Sequence, residues 1–301
     1  MIQRLSIEAP AKINLRLAIL GREESGFHSL ETLFCGLSLC DRLSFEPSES
    51  GFHLAVSGDV ETGPPEHNLV VRAAESFYSA LGLPPHVRCR LEKRIPAAAG
   101  LGGGSSDAAA TLRALNLLHG EPFAPARLLA LGAGIGSDVP FFLTGSPYAL
   151  AWGRGERLLE LEPLPARPIL IAHPGVPLPT PAAFQRLDQL RTEAAVSPPV
   201  GIPPQAFPII DLASWERVAE HASNDFEFVA FERIPTLVHA LRTLIENGAN
   251  IALLAGSGSA IFGVFPAGTD LTGVEQEVAK SGFATWRART LEHWPRPAGR
   301  D

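Results

Sequence analysis

The run Pro96-Ala97-Ala98-Ala99-Gly100-Leu101-Gly102-Gly103-Gly104-Ser105-Ser106 constrains this chain more than any other segment. Four glycines among five residues remove side chains, so main-chain N–H groups can approach a ligand closely. Ahead of the run, Val87, Cys89 and Leu91 alternate with polar residues, which predicts a strand leading into Lys93-Arg94-Ile95-Pro96. Behind it, Ala108, Leu112 and Leu115 keep helical spacing as far as Leu118, Gly120 follows the end, and Ser105 or Ser106 suits the N-cap. A strand, a bare loop and a helix start aim several N–H groups and the positive end of a helix dipole at one point. That is an anion site, and a polyphosphate is its usual occupant. Ser105 and Ser106 add hydroxyls for a phosphate or for a metal-bound water. A flexible loop that only caps a helix is the plainer reading, and the strand–loop–helix setting with paired serines argues against it.

Related glycine motifs fall away. The run does not close on Gly-Lys-Ser/Thr, so it is not a Walker A loop. No HRD or DFG sequence follows, which removes protein kinases.

A chain of 301 residues, 46% hydrophobic and 19% charged, describes a folded protein with core enough for two lobes. Its net charge of −7 disfavours nucleic acid and anionic membranes as partners. No stretch approaches the roughly 20 apolar residues of a membrane span. The start, MIQRLSIEAPAKINLRL, lacks a signal-peptide pattern. Cys35, Cys40 and Cys89 are odd in number, without metal-ligand spacing, and read as buried thiols in a reducing compartment. The expected location is the cytoplasm. Lysine is scarce: Lys12, Lys93 and Lys280 stand against 22 arginines. Codon bias explains the global skew, but a lysine retained in such a chain can mark a place that needs a compact ammonium.

Ile13, Leu15, Leu17 and Ile19 alternate with Lys12, Asn14, Arg16 and Ala18, which predicts a half-buried strand with Lys12 and Asn14 on its polar face. A loop, Gly21 to His28, follows. Asn68 caps a predicted helix through Leu81, ended by Gly82. Another helix starts near Pro125 and is broken by Gly132 to Gly136, after which Ser137-Asp138-Val139-Pro140 opens a short helix toward Phe142. A second half begins near Arg167 with a strand over 169–172, giving expected lobes of 1–166 and 167–301. Ser197 to Pro208 holds five prolines and reads as a loop or insertion. A helix over 236–247, then strands over 251–254 and 261–265 around Gly256-Ser257-Gly258-Ser259, complete the pattern. Strands and helices in mixed order favour an α+β class over a doubly wound sheet.

Asp138 is the candidate carboxylate. Phosphoryl transfer needs a group that orients the acceptor hydroxyl or takes its proton, and a cation beside it. Lys12 is the candidate cation, although a lysine on a polar strand face is usually only solvated and Asp138 alone could be a plain cap.

PAKINL near the start, PxxxGLGxGSS in the middle and GSGS near the end together resemble the GHMP kinase superfamily of galactokinase, homoserine, mevalonate and phosphomevalonate kinases. The finer likeness lies in APAKINLRL, GFHSLETLF, KRIPAAAGLGGGSSDAAA, GSDVPFFL, AHPGVPLPTPAAF, SNDFE and AGSGSAIF. It is to the branch that phosphorylates a cytidyl diphosphate of methylerythritol in the non-mevalonate isoprenoid pathway. The resemblance implies a two-lobed fold, an N-terminal ribosomal-protein-S5-like lobe and a C-terminal ferredoxin-like lobe, with ATP and acceptor meeting between them. It implies Lys12 and Asp138 as the catalytic pair and Pro96 to Ser106 as the holder of the ATP phosphates. It also implies Phe27 and Phe184 as a sandwich for the cytosine, His28 on the base edge and Asn14 on the erythritol. Mg²⁺ is expected with ATP, without assignable protein ligands, and the chain is expected to be a monomer or weak homodimer. Two departures stand out: Phe27 replaces the usual Tyr, and Ser197 to Pro208 looks unlike most members. Other acceptors, as in homoserine or mevalonate kinases, and a non-catalytic metabolite sensor on this fold are the competing functions. The retention of both Lys12 and Asp138 argues against the sensor.

Overall fold

The alternation that starts at Lys12 extends in both directions, so that Leu5–Arg22 forms one 18-residue strand, β1. It pairs antiparallel with β2 (His28–Pro47), with register shifts between Pro10 and Lys12 and between Asn14 and Arg16. Lys12 and Asn14 do share a face, as the period requires. That face is not solvated: Lys12 and Asn14 are as buried as Ile13 and Leu15, because the glycine-rich loop and neighbouring side chains cover it.

The computed structural model describes residues 4–24, 26–58, 68–193 and 209–298; the proline-rich segment 197–208 lies outside them. The chain continues through β3 (Gly51–Ser57), α1 (Leu69–Leu81), β4 (His86–Glu92), α2 (Gly103–Leu118), α3 (Pro125–Ile135), β5 (Tyr148–Gly153) and β6 (Arg157–Glu160). Then come β7 (Pro168–His173), α4 (Thr180–Glu193), α5 (Trp215–His221), β8 (Ser223–Asn224), α6 (Glu227–Arg233) and α7 (Thr236–Glu246). The last elements are β9 (Ile251–Leu254), β10 (Ile261–Val264), α8 (Thr272–Lys280) and β11 (Ala284–Arg289). The first sheet runs β3-β4-β2-β1-β8, with β5 joined to β2 and β6 to β5. The second, wholly antiparallel, runs β11-β7-β10-β9. Four strands in that order, with helices between the first and second and between the third and fourth, make the βαββαβ ferredoxin-like unit.

Three apolar clusters hold these layers. Phe45, Phe77, Leu112 and Leu115 fill the space between the first sheet and α1 and α2. Leu187, Leu237, Leu241 and Phe265 lie between the second sheet and its helices. The third joins the sheets: Ile13, Leu15 and Leu33 meet Ile169, Ile171 and Phe262. Apolar burial at ~25 cal/mol per Å² makes such a shared core the main resistance to relative motion of the sheets, so the cleft above it has a fixed floor. The chain passes between sheets at residues 161–167, and a division there stays a proposal. It is crossed by β8 pairing parallel with β1 and by bridges from Thr290 to Leu37 and from Ala298 to Ser6.

Helix α1 keeps its expected cap, Asn68 accepting from the Val70 amide, and its stop at Gly82 in the left-handed region. The 251–265 hairpin also forms as expected. Three expectations change. Helix α2 starts at Gly103, with Gly102 at φ +71° as its N-cap, so Ser105 and Ser106 sit inside the first turn and cap nothing. Helix α3 runs through Gly132 to Ile135. A Cβ at Gly132 would lie 2.7 Å from Leu143, so this glycine serves close packing and not a break. Residues 137–140 form a turn, and the short helix that follows is a 3₁₀ turn at Phe141–Leu143. The three cysteines are buried free thiols.

Candidate active site

The glycine-rich loop is shaped by left-handed residues at Gly100 (φ +78°) and Gly102 (φ +71°) and clamped from two sides. From β1, the Lys12 amide donates to the Leu101 carbonyl at 2.9 Å. From the turn between β9 and β10, the Ala260 amide donates to the Ala99 carbonyl at 3.3 Å, and the Ala255 carbonyl lies where a Cβ on Gly100 would be. The second glycine motif therefore abuts the first, main chain against main chain. Asn224 Nδ2 in turn fixes that turn by donating to the carbonyls of Leu254 and Gly256, each at 2.8 Å.

The first N–H groups of α2 have no intrahelical acceptor. They border a cavity of about 360 Å³ lined by Asn68, Leu69, Lys93, the whole run Pro96 to Ser105, and Asp107. Of the two serines, Ser105 lines this cavity, whereas Ser106 is buried and its hydroxyl has no partner among the described residues. Amides at a helix N-terminus with a hydroxyl beside them suit a polyphosphate. The donor set also suits Mg²⁺, which keeps several waters, binds through phosphate oxygens and asks few protein ligands.

Lys12 links this cavity to a second one. Its stem passes Gly102, where a Cβ would sit 2.9 Å from Lys12 Cγ. Its ammonium donates to Asn14 Oδ1 at 2.8 Å and stands 3.4 Å from Asp138 Oδ2. Asn14 is held in turn: its Nδ2 donates to Thr32 Oγ1 at 2.7 Å, which donates to the Arg16 carbonyl at 2.7 Å. That chain points the Asn14 oxygen at the ammonium. A buried ammonium is costly unless paired and hydrogen-bonded, and Lys12 has both kinds of partner. The Lys12 side chain is 5% exposed and the Asp138 side chain 34%, so the cation is fixed and the carboxylate open to a ligand.

Asp138 faces a cavity of about 1070 Å³ between the β1–β2 hairpin and α4. Phe27, His28 and Phe184 all line it. The Phe27 and Phe184 rings, however, meet different neighbours. Phe184 stacks on His28 with centroids 4.6 Å apart, and its edge meets Phe226. Phe27, at the hairpin tip, carries the Arg154 guanidinium 4.0 Å above its ring. His28 Nε2 lies 2.8 Å from Asp188 Oδ1, four residues and one helical turn beyond Phe184.

Much of this wall was not legible in the sequence. Arg154 and Arg22 put cations at the mouth, with Arg154 bonded to Glu23 at 2.6 Å, and Asp188 and Thr180 add polar groups to it. Phe184-x-x-x-Asp188 on one helical face was the readable signal for Asp188; Arg154, in a turn far from the hairpin, offered none.

Residues 68–146 match the family described as GHMP kinases N terminal domain. The 4-diphosphocytidyl-2-C-methyl-D-erythritol kinase of Moorella thermoacetica is 37% identical over 95% of this chain and 99% of its own length. That of Solibacter usitatus is 38% identical over 96% and 95%. A crystal structure of 4-(cytidine 5'-diphospho)-2C-methyl-D-erythritol kinase superposes with a TM-score of 0.76 at 37% identity, covering 95% of this chain and 98% of that one. A homoserine kinase from Cytophaga hutchinsonii, 18% identical over 99% and 98%, shares the fold with a TM-score of 0.69.

Proposed function

The chain belongs to the 4-diphosphocytidyl-2-C-methyl-D-erythritol kinases of the GHMP superfamily, and from that premise we propose that it transfers the γ-phosphate of ATP to the 2-hydroxyl of 4-diphosphocytidyl-2-C-methyl-D-erythritol. The observation that carries the mechanism is the 3.4 Å pair of Lys12 and Asp138 between the two cavities. ATP binds with its phosphates on the amides of Gly100 to Ser105. The acceptor lies in the larger cavity with its hydroxyl at Asp138. The carboxylate orients that hydroxyl and takes its proton as the new O–P bond forms and the bond from the γ-phosphorus to the β–γ bridging oxygen breaks to release ADP. Lys12 stabilises the negative charge passing between hydroxyl and carboxylate. The phosphates would hold Mg²⁺ when the nucleotide binds, the Ser105 hydroxyl in the cavity lining being available to it or its waters, and the ion would neutralise phosphate charge.

On the acceptor side, the cytosine takes its place beside Phe27, Phe184 and His28, and the cationic rim at Arg22 and Arg154 favours its diphosphate. Asn14, already bonded to Lys12, reaches the erythritol from the same strand face. Since Phe184 now stacks on His28, binding of a base between Phe27 and Phe184 requires the His28 ring to give way. Stacking is worth about 1–3 kcal/mol per base. Phe184→Ala is therefore expected to raise KM for the acceptor by roughly 5–150-fold, and KM for ATP little. Equal changes in both KM values would contradict the placement.

We place the enzyme in the cytoplasm, without nucleic-acid or membrane partners, as a monomer or weak homodimer. The net charge of −7 disfavours nucleic-acid and anionic-membrane partners, and no helix among the described residues is long and apolar enough to cross a membrane. A coupled assay of ADP release tests the function: turnover must depend on the cytidyl acceptor and be absent with homoserine or mevalonate. Nucleotide binding without turnover would identify a sensor instead.

A further inference from the structure

Lys93 is the second of the chain's three lysines, and the reaction above does not use it. It is buried, and its ammonium bonds to two buried carboxylates, Asp41 from β2 and Asp107 from α2, the latter at 2.8 Å. These three residues lie at the two ends of the glycine-rich loop. Lys93 precedes the loop and Asp107 follows it, five residues into the helix that the loop opens. Asp41 anchors both to the sheet. Its Oδ1 accepts from the amides of Arg94 at 2.6 Å and Ile95 at 2.9 Å, while its Oδ2 takes the Lys93 ammonium.

We propose that Asp41, Lys93 and Asp107 form a buried clasp that draws the ends of the glycine-rich loop together and so sets its affinity for the donor nucleotide. Asp41 is the purely positioning member, since Lys93 and Asp107 also line the glycine-rich cavity. Asp41 is fully buried, borders neither cavity and can reach the nucleotide only through the loop. The clasp has little slack: a Cβ on Gly103 would lie 3.3 Å from Lys93 Nζ and 3.1 Å from Ile95 Cγ2, so ammonium, loop entrance and helix start are in mutual contact. A compact ammonium suits that space better than a longer, planar guanidinium, in keeping with a lysine in a chain otherwise built with arginine. The cluster holds two carboxylates against one ammonium. Burial pushes Asp107 up to about 7 against the pull of Lys93, and the two carboxylates outweigh burial in holding Lys93 above its ordinary value. Asp107 Oδ1 has no hydrogen-bond partner among the described residues, and its Oδ2 takes the Lys93 ammonium.

The proposal rests on the reading of this loop as the ATP site, and ADP titration tests it without any acceptor. In Asp41→Asn the amide keeps an oxygen for Arg94 and Ile95 but turns an NH₂ toward Lys93, so only the tie to the ammonium is lost. The expected result is ADP binding weaker by about tenfold, with KM for the acceptor and kcat at saturating ATP within about twofold of wild type. Lys93→Met and Lys93→Met/Asp107→Leu then separate affinity from stability. The single variant leaves two buried carboxylates unpaired and lowers Tm. The double variant removes one of them, so Tm recovers while ADP binding stays weak. ADP binding that returns together with Tm, or an unchanged ADP Kd in Asp41→Asn, overturns the proposal. Should the single Lys93 variant fail to fold, Asp41→Asn and the double variant decide alone. Wild-type protein that binds no ADP would instead overturn the reading of the loop itself.

Discussion

Asp138→Asn is expected to lower kcat by about 10²–10⁴-fold, the usual range for loss of a positioned acid–base group. The substitution keeps the side chain's shape and its place 3.4 Å from Lys12, so the loss is chemical and not steric. ADP affinity is expected to stay within about twofold, because Asp138 lines the larger cavity and not the glycine-rich one. Steady-state kinetics beside ADP titration separate these effects. A kcat within about threefold of wild type would remove Asp138 from the chemistry. Lys12 gives a less clean test. Its stem packs on Gly102, so truncation also disturbs the loop.

The second large effect concerns the main chain. Gly100→Ala places a Cβ 1.8 Å from the Ala255 carbonyl oxygen, at a residue whose φ of +78° already disfavours a side chain. Neither partner can rotate away, since both are backbone. Left-handed strain at about 1–3 kcal/mol and overpacking at a similar figure sum to about 2–6 kcal/mol, a large share of ordinary domain stability. We expect Tm to fall by roughly 5–15 °C and ADP binding to be lost with the loop's shape. Gly104→Ala is the internal control for the fold. Its nearest neighbour is a Leu69 methyl at 3.6 Å, and its backbone is helical, so Tm is expected to hold or rise. Thermal melts of the two variants compare them directly, and equal Tm values would contradict the close approach of the two glycine motifs.

What could be read in advance follows from the range of each interaction along the chain. Period-2 alternation put Lys12 and Asn14 on one face of β1, and the Asn68 and Gly82 caps bounded α1, because these signals are local. The strand–loop–helix order around Gly100 was local as well. Ser105 and Ser106 were misplaced as caps because Gly102 itself turns left-handed and takes the N-cap, three residues before Ser105. Gly132 looked like a helix breaker in isolation, yet its role is set by Leu143, which packs where a side chain would be. The polar face of β1 looked solvated because nothing nearby in sequence covers it; the cover comes from the glycine-rich loop some ninety residues later. The clasp required positions 41, 93 and 107 to be brought together, and only the scarcity of lysine hinted at it. The SNDFE segment carried a likeness but no role. In the fold, Asn224 pins the Gly256 turn, and Asp225 accepts from the Ile19 amide at 2.8 Å and from Arg191 at 2.9 Å. It thereby ties α4, with Phe184 and Asp188, to the hairpin that carries Phe27 and His28.

Phosphorus NMR of the complete reaction, with ATP, Mg²⁺ and the cytidyl acceptor, tests the central claim most directly. A new phosphomonoester resonance should grow as the γ-phosphate of ATP disappears, while the acceptor's own diphosphate pair stays intact. Inorganic phosphate as the sole product, or ATP left unconsumed, would mean that the hydroxyl beside Asp138 is not where the phosphoryl group goes.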